Sequence, residues 1–267
     1  MQLEYLDLNK RGLIPGPSEN AETFKNRVST TLLLKKELTE KKEALPIEGN
    51  SFEEALTITE QLYDIRPDWL PAFYSNKGLM FFEGGATWIT KEGLPLIHLR
   101  SSFKKKKCLL GIYHEKELLA HEMIHATRSA FSEPIFEEFF AYKTSNKSYR
   151  AFLGTLLRSP MEAYLFLGTL WLSCIFLFFG FLEPMLLPLG LVSFALIRSI
   201  KCKNAYNKAK MALMQIFKEE KTVNAILFRL TDKEILLFSK ISSTKILSYI
   251  IKEPSLRWQI MRAFYLH

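Results

Sequence analysis

Residues 163–182 read AYLFLGTLWLSCIFLFFGFL, a block with no charge in it. At about 1.5 Å per residue, a helix of that length covers about 30 Å, the thickness of a bilayer's hydrocarbon core. Soluble cores rarely need so many uncharged residues in series, so this block restricts the chain more than any other feature. Glu183 and Pro184 interrupt it, and MLLPLGLVSFALI then continues apolar to Ile197, with Pro188 inside. The pair reads as a transmembrane helical hairpin with a tight turn at LEP. Its second arm is shorter and either spans or is re-entrant. The competing reading is a helical hairpin buried in a soluble core. Arg150 and Arg158 precede the pair; Arg198, Lys201 and Lys203 follow it. Basic residues at both ends place both ends in the cytoplasm, with Glu183 near the opposite surface. Three scattered cysteines, Cys108, Cys174 and Cys202, form no CxxC pair and suit a reducing compartment.

The hairpin divides the chain into residues 1–160, 161–200 and 201–267. The first part begins with MQLEYLDLNKRGLIPGPSEN, which lacks the basic and then apolar regions of a secretory signal. SENAETFKNRVSTTLLLKKELTEKKEAL reads as an amphipathic helix begun by Ser18 or Asn20 and ended before Pro46. In SFEEALTITEQLYDI, a second helix, Ser51 and Glu54 fit a capping box. GATWIT and LPLIHLR are β-branched and aromatic runs around KEG, the pattern of a β-hairpin. LTDKEILLFSK starts a C-terminal helix at Thr231 or Asp232, and SLRWQIMRAFYL is a last amphipathic helix. The net charge of +8 admits nucleic acid, an anionic membrane surface or simple solubility. Apart from four lysines at 104–107 the basic residues are dispersed and no nucleic-acid motif occurs, so no nucleic-acid partner is expected. The four lysines form either a solvated turn or a contact with anionic lipid headgroups.

The stretch LLAHEMIHATRSAF carries the chemistry. His121 and His125 are four apart, which on a helix puts both imidazoles on one face, one turn apart, where a single metal ion can take a nitrogen from each. Glu122 is about 100° round the helix from His121, beside the metal rather than on it. There it can accept a proton from a water whose pKa zinc lowers to about 7. This HExxH arrangement requires a third ligand. A metzincin would carry Gly at 128 and His at 131, but the chain has Arg128 and Phe131. Instead Ser132 and Pro134 mark a turn and a new helix, followed by Glu137 and Glu138. A short helical hairpin would bring one of these carboxylates back to the metal.

HEMIH followed by EEFFAY resembles the gluzincin type of zinc metallopeptidase, in which a glutamate ligand lies on a second helix within an ExxA sequence. The resemblance covers roughly residues 114–142. It implies that His121, His125 and Glu138 hold zinc, with Glu137 as the alternative ligand, and that Glu122 is the general base. Tyr142 stands where several such families carry Asp or Asn. It shares the Glu138 face as either a donor to a developing oxyanion or a packed aromatic. The resemblance also implies an upstream edge strand that pairs with extended peptide substrate; LPLIHLR or GATWIT is the candidate. Among other residues, Glu133 and Glu137 are candidate partners for the imidazole N–H groups. His114 lies too far along the helix to share the metal, and His98 reads as structural. Arg229 is either a transition-state stabiliser or an ordinary salt bridge. Cys108 reads as inert.

The expected fold is α+β and mainly helical, with a small β-hairpin, then a zincin-like HExxH helix, then the membrane hairpin. The expected function is a membrane-anchored zinc metallopeptidase acting on a peptide or protein substrate from the cytoplasmic side. The alternative is a non-catalytic, membrane-embedded structural or interaction protein with a vestigial HExxH.

Overall fold

A computed structural model describes residues 2–41, 45–80, 83–109, 111 and 113–266. Helices dominate. They are α1 (Gln2–Lys10), α2 (Ala21–Lys41), α3 (Asn50–Tyr63), α4 (Glu115–Arg128), α5 (Glu137–Ala141) and α6 (Ser148–Leu153). After these come α7 (Pro160–Phe178), α8 (Leu186–Phe217), α9 (Glu220–Phe228), α10 (Asp232–Phe238), α11 (Ser243–Lys252) and α12 (Leu256–Tyr265). The strands are β1 (Leu45–Pro46), β2 (Ala72–Tyr74), β3 (Gly85–Ile89), β4 (Pro95–Leu99), β5 (Cys108–Leu109) and β6 (Tyr113–His114). The fold is thus mainly helical with a small sheet, the class expected.

Several helix starts follow from local chemistry. Asn20, rather than Ser18, caps α2: its Oδ1 accepts from the backbone N–H groups of Glu22 and Thr23 at 3.0 and 2.9 Å. The expected end of that helix falls partly on residues 42–44, outside the described residues. Thr231 caps α10, and Glu234 completes its capping box. The capping box expected at Ser51 does not form. Gly49 is the N-cap of α3, and the Ser51 hydroxyl instead donates to Glu115 Oε2 at 2.6 Å, across to α4. A buried carboxylate without enough partners outcompetes the helix end for that hydroxyl.

The four-stranded sheet has the order β1-β2-β4-β3. GATWI and PLIHL form the expected antiparallel hairpin, with Gly85 opposite Leu99 and Ile89 opposite Pro95. Its turn needs Gly93 at a φ of 80°, a left-handed conformation that other residues adopt at a cost. β4 is paired on both sides, by β2 and β3. LPLIHLR therefore has no free edge and drops out as a substrate-pairing strand. β3 is one edge of the sheet and β1 the other.

The described residues form two apolar cores. One, containing Leu13, Phe24, Trp69, Ile97 and Phe103, joins the N-terminal helices and the sheet to one face of α4. The other, containing Phe140, Tyr206, Leu213, Phe228 and Trp258, joins α5 to the C-terminal helices. Arg229, fully buried, ties the ends of the chain together. It donates to Asn9 Oδ1 at 2.7 Å, to the Tyr63 carbonyl at 3.0 Å and to the Ala225 carbonyl at 2.9 Å. Its role is structural, and its partners are carbonyl oxygens rather than a carboxylate.

The apolar pair of helices stands apart from both cores. Ser159 caps α7, its hydroxyl accepting from Glu162 N, and Pro160 occupies the first turn, where its missing N–H costs nothing. Trp171, Phe178, Leu186 and Phe194 are between 63% and 87% exposed, so the hairpin is not the buried core of a soluble domain. Both helices are long and apolar enough to cross a membrane. The second arm differs from the sequence reading. α8 does not stop near Ile197; it runs unbroken through residue 200, where a domain boundary was expected, to Phe217. Pro188 is tolerated because it is the third residue of α8, where no intrahelical carbonyl awaits its N–H. The far half of α8 buries Tyr206, Ala209 and Leu213 in the C-terminal core. One rigid rod therefore serves both the apolar hairpin and the globular body. At the neck, Arg198 grips Glu162 with two hydrogen bonds of 2.6 and 2.7 Å, and Thr155 meets Ser199 at 2.8 Å.

Candidate metal centre

α4 carries HEMIH through the middle of the molecule, buried on nearly all sides. Its 3.6-residue turn places the two imidazoles together: His121 Nε2 and His125 Nε2 are 3.2 Å apart. Glu138, on the short helix α5, completes a triangle. One of its carboxylate oxygens is 3.8 Å from His121 Nε2, and the other is 3.6 Å from His125 Nε2. Zinc bound to nitrogen and oxygen at about 2.0–2.1 Å in tetrahedral geometry separates its ligand atoms by about 3.3 Å. The three side chains lie close enough together that they could hold such an ion. Their chemistry, two imidazoles and one carboxylate with space on the fourth side, also matches a catalytic rather than a closed structural set.

A five-residue helix does not hold its own position, and two distant residues, Asp232 and Tyr63, set it. Asp232 accepts from the backbone N–H groups of Ile135 and Phe136 at 2.7 and 3.2 Å. The Tyr63 hydroxyl, from α3, donates to the Phe140 carbonyl at 2.8 Å. Glu133 accepts from the Asp232 backbone N–H, which closes the loop, and does not reach an imidazole. Of the two adjacent glutamates, Glu138 faces the histidine nitrogens that face each other. Glu137 lies behind: its Oε1 is 3.2 Å from His125 Nδ1, and its Oε2 accepts from Arg128 Nε at 3.1 Å. Arg128 is itself anchored on the Phe228 carbonyl and lies 3.4 Å from that of Leu230. A relay of charge-assisted bonds therefore runs from the C-terminal region to the imidazole and fixes its ring orientation. On the other imidazole, a hydrogen bond to the Ala141 backbone serves the same purpose.

Electrostatics distinguish the donors. Burial holds the His121 pKa well below the usual histidine range, helped by the nearby positive charges of His125 and Arg150, so this imidazole is neutral. Burial also depresses His125, but the bond to Glu137 and the Glu138, Glu137 and Glu122 charges outweigh it, pushing its pKa up to about 9. Burial raises Glu138 to about 7, a rise that the neighbouring His125 charge only partly offsets. Without an ion, the triangle therefore holds protons where a metal would place its charge.

Glu122 lines the same cleft as the triangle. It is buried, and the Thr87 hydroxyl of β3 lies 2.9 Å from both its Oε2 and its backbone carbonyl. Burial raises its pKa, with His125 and Thr87 opposing. That suits a carboxylate that must take and return a proton. The cleft encloses about 740 Å³ between α4, the Ser132–Glu138 segment and the edge strand β3. Pairing between β3 and β4 brackets the strand with Arg100 N to Gly84 O at one end and Thr90 N to Leu94 O at the other. By alternation, Gly85, Thr87 and Ile89 turn their backbone groups to the open edge, where the Thr87 N–H bonds the Glu122 carboxylate. Tyr142 lines the cleft and packs edge-on against His121, ring centres 4.6 Å apart. Burial raises its pKa, so it is a neutral phenol.

The remaining candidates lie outside. His114 is the residue before α4 and caps it without a side-chain bond. His98 sits on β4 beside Trp88. Cys108 is a free thiol on β5. Sequence reasoning missed three contributors: Arg128, Asp232 and Thr87. Arg128 had a signal, because three residues after His125 it shares the ligand face. Thr87 and Asp232 had none, since their partners are 35 and about 97 residues away. In comparison with known proteins, no family model, curated protein or solved structure matches the chain.

Proposed function

We propose that the chain is a membrane-anchored zinc metallopeptidase of gluzincin type, with His121, His125 and Glu138 as the zinc ligands and Glu122 as general base. The observation that carries this reading is the triangle of donors 3.2–3.8 Å apart, with the Glu122 carboxylate opening onto the same cleft. When bound, zinc supplies Lewis acidity, which polarises a carbonyl and makes a water easier to deprotonate. The protein's own groups do the rest. Extended substrate pairs with the open edge of β3 through Gly85, Ile89 and the Thr87 carbonyl, the Thr87 N–H being held by Glu122, and this lays its backbone across the donor triangle. Glu122 takes the proton of the attacking water and passes it to the leaving amine. Thr87 and the Glu137–Arg128 pair hold Glu122 and His125 in register. Tyr142, a neutral phenol at the cleft wall, is placed to donate toward the developing oxyanion. The exposed apolar faces of α7 and α8 support burial in lipid, with the basic flanks on the cytoplasmic side and Glu183 toward the opposite surface.

Metal analysis with kinetics tests the reading. The purified protein should carry close to one zinc per chain, and His121→Ala or His125→Ala should strip it. Glu122→Gln should keep the metal and lose hydrolysis of an unfolded protein substrate by about 10²–10⁴. Glu138→Ala should lower zinc content more than Glu137→Ala. A wild-type protein that binds no zinc, or full activity in Glu122→Gln, would sink the proposal.

A further inference from the structure

We infer that residues 149–157 lie in the bilayer surface and hold the cleft against it, so that the substrates are membrane-anchored polypeptides cut close to the membrane. The substrate half rests on the peptidase reading; the placement of the segment does not.

Tyr149, Phe152, Leu153 and Leu157 are 51%, 37%, 54% and 41% exposed. Soluble surfaces scatter large apolar residues singly, whereas these four fall within nine positions just before α7. Their height is fixed by a shared groove of about 380 Å³. Leu153 and Leu157 line it together with Leu191, Val192 and Phe194 of α8. If that part of α8 lies in lipid, residues 153–157 lie at the same depth. The lengths point the same way. From Leu186 to Ile197, α8 makes eleven steps of about 1.5 Å, about 17 Å before Arg198. From Glu162 to Phe178, α7 makes about 24 Å. Measured over these stretches alone, each arm falls short of the roughly 30 Å of a hydrocarbon core, so a crossing also uses the flanking residues of each helix. A short span is accommodated by thinning the bilayer or by drawing its flanks into the interface. The apolar segment beside the shorter arm is such a flank. The Glu162–Arg198 pair at the neck neutralises its own charge. Exposed Lys201, Lys203 and Lys208, further along α8, then meet anionic headgroups.

Two contacts carry this placement to the cleft. Tyr142, which lines the cleft, lies flat on Gly154; a Cβ there would come within 2.2 Å of its ring. On the opposite lip, the Tyr164 hydroxyl near the base of α7 donates to Met80 Sδ at 3.3 Å. Met80 N in turn donates to Glu83, another lining residue, at 2.9 Å. Each lip is thus one or two side chains from a segment at the membrane.

The test uses the full chain in nanodiscs of phosphatidylcholine with phosphatidylglycerol. In a background with the three native cysteines changed to serine, nitroxides are attached one at a time at Tyr149→Cys, Leu153→Cys and Leu157→Cys. Trp171→Cys is the lipid reference and Glu48→Cys the water reference. Collision with oxygen should exceed collision with a water-soluble nickel chelate at 153 and 157, as at 171. Labels at 149, 153 and 157 that all behave like the one at 48 would overturn the placement. A reporter peptide is then joined to a membrane anchor by a spacer of about five residues, which reaches about 17 Å extended, or of about forty. The short spacer should be cut at least as fast as the long one. Cleavage of the long spacer alone would overturn the substrate assignment. No cleavage of either would count against the peptidase reading itself, while the labels still decide where the segment lies.

Discussion

α4 and α7 invert the usual relation between composition and burial. α4 carries Glu115, Lys116, Glu117, Glu122 and Arg128 in fourteen residues, yet only Lys116 of these is not buried. α7 has one charge, Glu162, in nineteen residues, and most of its side chains face outward. In α4, partners bring the charges inside. Glu115 has Ser51, Tyr74 and Lys107, and Glu117 has Arg150 and Ser145. Arg128 has Glu137 and two carbonyls. A buried charge is tolerated only when paired and hydrogen-bonded, and every such pair fixes a helix against a specific neighbour. In α7 most of the apolar surface lies uncovered by the described residues, and its cover has to come from outside. Polarity in one helix thus builds a rigid site, and apolarity in the other leaves a surface for another phase.

Breaking the pairing in α4 should have the largest effect. Arg128→Met leaves Glu137 with His125 as its remaining partner and takes the arginine donor from the carbonyls of Phe228 and Leu230. Denaturant unfolding should show a loss of about 3–5 kcal/mol, and zinc affinity should fall with it. Arg128→Lys keeps the charge without the fork and should recover only part of both. A loss below about 1 kcal/mol would mean that α4 is held by its apolar face alone.

The matching change in α7 is Leu172→Lys, a charge near the middle of the exposed span. Membrane insertion should be disfavoured by about 2.5–3.5 kcal/mol, visible as a drop in the carbonate-resistant fraction. An unchanged fraction would mean that the outer face of α7 is covered by protein rather than lipid.

A pH titration of zinc binding sharpens the comparison from the side of the site. His125, at about 9, and Glu138, at about 7, both have pKa values above their ordinary ranges in the metal-free protein. Below each value a proton occupies the group that zinc needs, so affinity rises with pH up to about 9 and falls as pH drops. Each displaced proton contributes about tenfold per pH unit. Competition with a chelator should therefore show about a hundredfold or more weaker binding at pH 6 than at pH 8. A flat profile would remove these two groups from the ligand set.

The smallest effect concerns Ser51. Its hydroxyl serves Glu115 in α4, so Ser51→Ala should cost about 1.5 kcal/mol, the lower range for a bond to a charged group. Glu54, the capping-box partner that the sequence suggested, only meets Lys116 at the surface. Glu54→Ala should stay within about 0.5 kcal/mol. Equal losses would restore the capping reading.

What the sequence determined by itself is whatever depends on neighbours within a turn or two. The 3.6-residue period puts His121 and His125 on one face, side-chain caps start α2 and α10, and the uncharged block makes an apolar helix over residues 163–178. Backbone geometry enforces these outcomes wherever the segment ends up. The tertiary structure decided everything that depends on which distant group arrives. Asp232 and Tyr63 set the angle of α5, which turns Glu138 toward the imidazoles and Glu137 behind them. β2 covers one side of β4 and leaves β3 as an edge. The C-terminal core takes up Tyr206, Ala209 and Leu213, which carries α8 past the end of its apolar run. Adjacent residues such as Glu137 and Glu138 are nearly identical in local chemistry. Only a packing contact from far along the chain, with the desolvation it imposes, makes one face the site and the other support it.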